Sequence, residues 1–230
     1  MDFRFIHVHS YASIDSGTVA REIAKIFPCL KVDIRSAFEY DGRIERARIT
    51  DLKHPFERQP KQVSGMKPLY DGFVLQRMFA EMIPAAEADH VHIIFTGLLM
   101  CTFSEHDWRY HARAVVCGTP SIVSTAGIVE APAKPKEFYL AQLGGAAEVS
   151  LKKRCAGRFI DYSDARMTAA AILYALQALF FFVLDGEPFC EDKDCKLYNA
   201  HWQEELIHVI KRGTFCARHE RAVNKFNNRK

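Results

Sequence analysis

The chain has 230 residues, 49% of them hydrophobic and 12% aromatic, which is enough to bury a core and too apolar for a disordered chain. A net charge of +3 does not by itself imply a polyanionic partner. Seven cysteines are an odd number with no secretory leader pattern before them, so a reducing, cytoplasmic setting and metal chemistry are expected over a disulfide framework.

Residues 3–9 alternate and predict a strand. Residues 16–27 put Val19, Ile23, Ile26 and Phe27 on one helical face, and 29–34 predict a second strand. This β-α-β opening predicts a parallel pair with a right-handed crossover. Residues 35–68 are polar and aperiodic and are interrupted by Pro55 and Pro60, so a long loop or hairpin insertion is expected. Helical spacing resumes over 69–83 through Leu75, Met78, Phe79 and Met82, and Pro84 stops it. Residues 90–96 are nearly continuously apolar, as a central strand would be.

Residues 101–139 read as short strands with turns at Gly118-Thr119-Pro120 and Gly127, followed by Pro132 and Pro135. Edge structure closing a mixed sheet is expected there. Residues 144–161 read as a connector with a solvated Lys152-Lys153-Arg154 triplet. A long helix follows over about 164–185, capped by Ser163 or Asp164 and ended by Gly186 as a C′ glycine. Its apolar run, 169–184, includes Gln177 and is short of the roughly 20 residues a membrane span needs. A helix apolar all round belongs in the centre of a fold. A shorter amphipathic helix over 202–211 and a basic tail complete the chain.

After that long helix come Cys190 and Cys195, then Cys216 and His219. Three thiolates and an imidazole make a closed tetrahedral zinc set, each pair supplied by one short segment. One structural Zn2+ is expected, with His201 or His208 as substitutes for His219. Cys29, Cys101, Cys117 and Cys155 are scattered and read as small apolar fillers. The expected architecture is a mixed α/β (α+β) fold, a twisted mixed sheet with packed helices. It comprises an α/β part over 1–186 and a small zinc-bound lobe over 187–230 within one compact unit.

Segment 179–219 resembles the archaemetzincins, zinc peptidases of the metzincin clan. Their signature runs HExxHxxGxxHC, then after four residues Cys-x-Met, then CxxC. Cys190 matches the cysteine after the third histidine, Cys195 follows after four residues, and Leu197 stands at the methionine. Cys216 comes one residue late, His219 replaces the last cysteine, and Gly186 falls on the family's glycine. The resemblance implies a metzincin-like sheet-and-helix fold with a zinc-bound C-terminal lobe. The activity does not carry over: the histidine positions hold Leu179, Val183 and Phe189, and the glutamate position holds Phe180. None of these can ligate a metal or activate water.

The leading expectation is therefore a pseudo-enzyme that keeps the structural zinc, has lost the catalytic one, and binds an extended peptide or protein. An active metallopeptidase with unorthodox ligands is the alternative. Its candidate site is His106, Asp107 and His111; His90 and His92 share one strand face and His7 and His9 lie one strand step apart, so each pair could supply ligands, though isolated histidines on strand ends and loops are the plainer reading. A third reading is a nucleic-acid-binding zinc lobe. It rests on Lys211, Arg212, Arg218, Arg221, Lys225, Arg229 and Lys230, with Trp202 and Phe215 available to stack on bases.

Overall fold

A computed structural model describes residues 3–50 and 67–229. Most of the insertion expected over 35–68, namely 51–66, lies outside the described residues. Before it, Gly42–Ala47 forms a 3-10 helix whose first turn is capped by Asp41.

The fold is mixed α/β. The described strands are β1 (Phe5–His9), β2 (Lys31–Arg35), β3 (Leu69–Asp71), β4 (Val91–Thr96), β5 (Leu99–Ser104), β6 (Arg109–Arg113), β7 (Val115–Val116) and β8 (Ser121–Ser124). Five of them form one sheet in the order β2-β1-β4-β8-β7, parallel except for β7. The other three form a second sheet in the order β3-β5-β6. The expected β-α-β opening is present: α1 (Ser16–Ile26) links two parallel neighbours, and Asp15 accepts from the Thr18 N–H at its start.

Strand alternation assigns the two faces of the larger sheet. Ile6, Val8, Val91, Ile93 and Phe95 form one continuous apolar cluster with Val19 and Ile23 of α1 and with the long helix α6 (Met167–Val183). On the opposite face, Ile94 and Ile122 pack against Leu75 and Phe79 of α2 (Gly72–Ala80) and against Met100 of the second sheet. The β1 side of that opposite face is not apolar. There the register sets His7 between Asp33 and His92.

Three expectations are corrected. Segment 69–83 is not one helix. Asp71 ends β3 and its carboxylate accepts the N–H groups of Phe73 and Val74, which starts α2 at Gly72. Residues 125–154 are largely helical: α3 (Thr125–Glu130), α4 (Lys136–Leu143) and α5 (Glu148–Arg154). These helices are short, and α4 leaves Tyr139, Leu140 and Leu143 exposed, so no apolar stripe marked it. The long helix starts at Met167, because Asp164 holds the Arg166 guanidinium and its N–H and caps nothing further on.

At its other end, Asp185 takes the left-handed conformation (φ 53°) and Gly186 follows at φ 113°. The Gly186 N–H reaches back to the Phe181 carbonyl at 2.8 Å, which closes a Schellman-type end. The glycine thus sits one place beyond the expected C′ position.

The C-terminal segment is also ordered. It forms α7 (Gln203–Arg212) and α8 (Ala217–Asn227), and Phe226 of α8 packs on Phe3 and Phe27. Cys101 and Cys155 are buried fillers as expected, whereas Cys29 is exposed and donates to Asn227 Oδ1. No helix among the described residues is long and apolar enough to cross a membrane.

One close approach is testable. A Cβ on Gly127 of α3 would lie 2.0 Å from the Arg113 carbonyl oxygen and 2.8 Å from Ala114 Cα, and neither backbone atom can rotate away. Gly127→Ala should therefore cost roughly 1–3 kcal/mol as overpacking. Thermal denaturation should show a Tm several degrees lower; an unchanged Tm would contradict the contact.

Candidate metal centre

α6 hands the chain to a loop that closes on itself. The Cys190 N–H donates to the Leu197 carbonyl at 2.9 Å and the Asn199 N–H to the Cys190 carbonyl at 3.2 Å. α7 carries the chain away and back. On its return, the Lys196 N–H donates to the Thr214 carbonyl at 2.8 Å and the Thr214 N–H to Asp194 at 3.0 Å. Cys216 is then the N-cap of α8, which places His219 in the first turn of that helix.

These elements bring Cys190, Cys195, Cys216 and His219 together, with all four ligand atoms within 4.8 Å of one another. His219 Nδ1 lies 3.1 Å from Cys216 Sγ and 3.4 Å from Cys195 Sγ, and the Cys190 and Cys216 sulfurs are 3.9 Å apart. Zinc–sulfur and zinc–nitrogen bonds of about 2.3 and 2.0 Å place the corners of a tetrahedron about 3.5–3.8 Å apart. The donor set and its spacing therefore fit one such ion. All four corners would come from the protein.

Electrostatics agree with a bound cation. Burial pushes the Cys195 thiol up to about 12, a cost a metal ion reverses. Burial also opposes ionisation of Cys216, but the backbone N–H groups of His219 and Arg218 outweigh it and hold this thiol below its ordinary value. That is the effect of a helix N-terminus on a thiolate. Burial, helped by the Arg218 charge, lowers His219 and keeps it in the neutral form a metal requires. His219 Nε2 is buried with no hydrogen-bond partner. The ring is oriented instead by the edge-on Phe180 ring, 5.7 Å away.

His208 and His201 are not part of this group. His208 pairs with Asp194 at 2.6 Å, and His201 is exposed.

The catalytic-signature positions lie beside the metal group. Leu179 and Phe180 are completely buried and Val183 nearly so, while Phe189 is 40% exposed. Leu197 is also fully buried. The chain matches the model described as "Probable metallopeptidase family (DUF6775)" over residues 3–226. It belongs to that family. No curated protein and no solved structure matches the chain.

Within this member of the metallopeptidase family, the other sequence candidates separate. His111 pairs with Asp107 at 2.9 Å on the exposed β5–β6 turn, and His106 is exposed beside them. Among the described residues their ligand atoms form no converging group with a third donor, whereas His7, Glu87 and His90 do. The plainer sequence reading takes these histidines as isolated, and Glu87 carried no signal at all. Only the pairing of β1 with β4, more than 80 residues later, reveals the grouping.

Cys195→Ser should weaken metal binding at least tenfold and loosen the lobe. Metal analysis together with limited proteolysis between residues 187 and 216 checks this, and a full metal complement with unchanged protease resistance would contradict it.

Proposed function

We propose that this chain is an archaemetzincin-like member of its family that keeps one structural zinc and has lost the catalytic one. The observation that carries the reading is a closed Cys3His group seated directly against α6, whose positions 179, 180 and 183 are buried hydrocarbon. A catalytic zinc needs two histidines one turn apart and a fourth position open to water. This helix offers neither. On this reading residues 1–186 form the α/β part and 187–230 a zinc-held lobe of the same compact unit, in a reducing, cytoplasmic setting.

The proposed role is peptide or protein binding. A cleft of about 760 Å3 in the lobe is lined by Glu187, Phe189, Glu191, Asp192, Tyr198 and Arg218 among others. Three carboxylates around an exposed Phe189 suit an extended peptide with basic and apolar side chains. The nucleic-acid reading has less support. Phe215 packs on Phe180 at 5.3 Å and so is not free to stack on bases.

A quenched-fluorescence peptide library and a labelled Arg-Phe-containing peptide test this pair of claims. The expected results are no chelator-sensitive cleavage, and saturable binding that weakens several-fold in Phe189→Ala. Chelator-sensitive cleavage would overturn the reading.

A further inference from the structure

The polar patch on the larger sheet is built from three strands and a short 3-10 turn, Ala85–Glu87. His7 of β1 lies opposite Asp33 of β2 and His92 of β4, so the register alone aligns a carboxylate and two imidazoles. His90, just ahead of β4, and Glu87 complete the group. The ligand atoms of His7, Glu87 and His90 lie within 4.8 Å of one another. His7 Nε2 is 2.8 Å from His90 Nδ1 and 3.9 Å from Glu87 Oε2, and His92 Nε2 is 3.7 Å from the same Glu87 oxygen.

We propose that His7, Glu87 and His90, with His92 beside Glu87, form a second metal site, for a first-row divalent cation, separate from the Cys3His group. Three observations carry it. First, the separations bracket the roughly 3.3 Å edge expected when nitrogen and oxygen ligands surround an ion at about 2.0–2.1 Å. Second, His92 is 1% exposed, and its Nε2 faces this group with no hydrogen-bond partner. A buried, unpartnered imidazole nitrogen beside a carboxylate is what a ligand atom looks like in the absence of its ion.

Third, the outer contacts suit ligation. Asp33 accepts from the Nδ1 of His7, as in a carboxylate–histidine–metal triad, and the proton shared between His7 Nε2 and His90 Nδ1 is the one a metal would displace. His9 Nε2 lies 3.1 Å from His92 Nδ1, and the tautomer in which Nδ1 donates leaves the His92 Nε2 lone pair for a metal. Arg35 holds Glu87 Oε1 at 3.1 Å, leaving Oε2 to face the histidines, and it also holds Asp33 at 2.9 Å.

The site differs in kind from the first. It has no thiolate, and Glu87 and His92 also line an adjoining cleft of about 300 Å3 with His9, Arg35 and Phe38. A metal here would be reached from that cleft. The inference goes beyond the proposed function and does not rest on it, since none of these residues belongs to the archaemetzincin-like segment.

Cobalt titration of the full reduced chain separates the two sites. Only the Cys3His group produces a thiolate-to-cobalt charge-transfer band. The wild type should bind two ions per chain. His90→Ala and Glu87→Gln, both at partly exposed positions, should bind one with the charge-transfer band intact. Asp33→Asn, a positioning change, should weaken the second ion roughly 10–100-fold. One ion in the wild type at saturating cobalt, or two equally tight ions in both His90→Ala and Glu87→Gln, would overturn the proposal. Loss of the charge-transfer band in the wild type would instead indict the Cys3His reading.

Discussion

The edge-on contact between Phe180 and His219 joins the two halves of this protein. Phe180 lies in the last turn of α6, completely buried against Phe27 at the end of α1. His219 is the imidazole of the Cys3His group and has no hydrogen bond on its outer nitrogen. An unpaired ring nitrogen in a dry pocket is costly unless the other nitrogen has a strong partner. Here three sulfurs surround that other nitrogen. The Cys3His group joins the loop after α6, the backbone bridge between Cys195 and Thr214, and the first turn of α8. Phe226 at the far end of α8 then reaches Phe3 at the start of the chain.

This arrangement explains why the helix can be so apolar. A catalytic helix must expose a ligand-bearing face to a cleft, and that face excludes close packing. In this chain the same face carries Leu179, Phe180 and Val183, and they have joined the core. Gln177 is the polar exception, and its amide donates to the Tyr198 carbonyl in the lobe. α6 is thus fastened to the metal loop by one hydrogen bond and by ring packing. The α6 side of the sheet is hydrocarbon, while ionisable groups gather on its opposite face around His7, Glu87 and His92.

Sequence reading reached the local features and lost the long-range ones. The opening β-α-β, the central strand at 91–96 and the long helix were legible because each has a strong period or an unbroken apolar run. The ligand spacing at 190–219 was legible because each pair sits within one turn of chain. The helices at 125–154 were not, since residues such as Leu140 and Leu143 point to solvent and blur the period. The histidines could be named as possible ligands, but not their meeting with one another and with Glu87. His7 and His92 become neighbours only through the parallel pairing of β1 with β4, and nothing local announces that pairing. Asp164 was misread because a capping residue and a salt-bridge partner look alike until Arg166 is seen beside it.

The central claim is that one ion in the Cys3His group holds the C-terminal lobe against α6. It is tested most directly by thermal unfolding of the reduced protein before and after metal removal, with zinc then added back. Structural zinc of this kind is worth on the order of 10 kcal/mol in small domains. The account predicts a large fall in Tm on removal, with early loss of protection around residues 187–226, and full recovery with zinc. A metal-free protein that unfolds at the same temperature as the loaded one would contradict it.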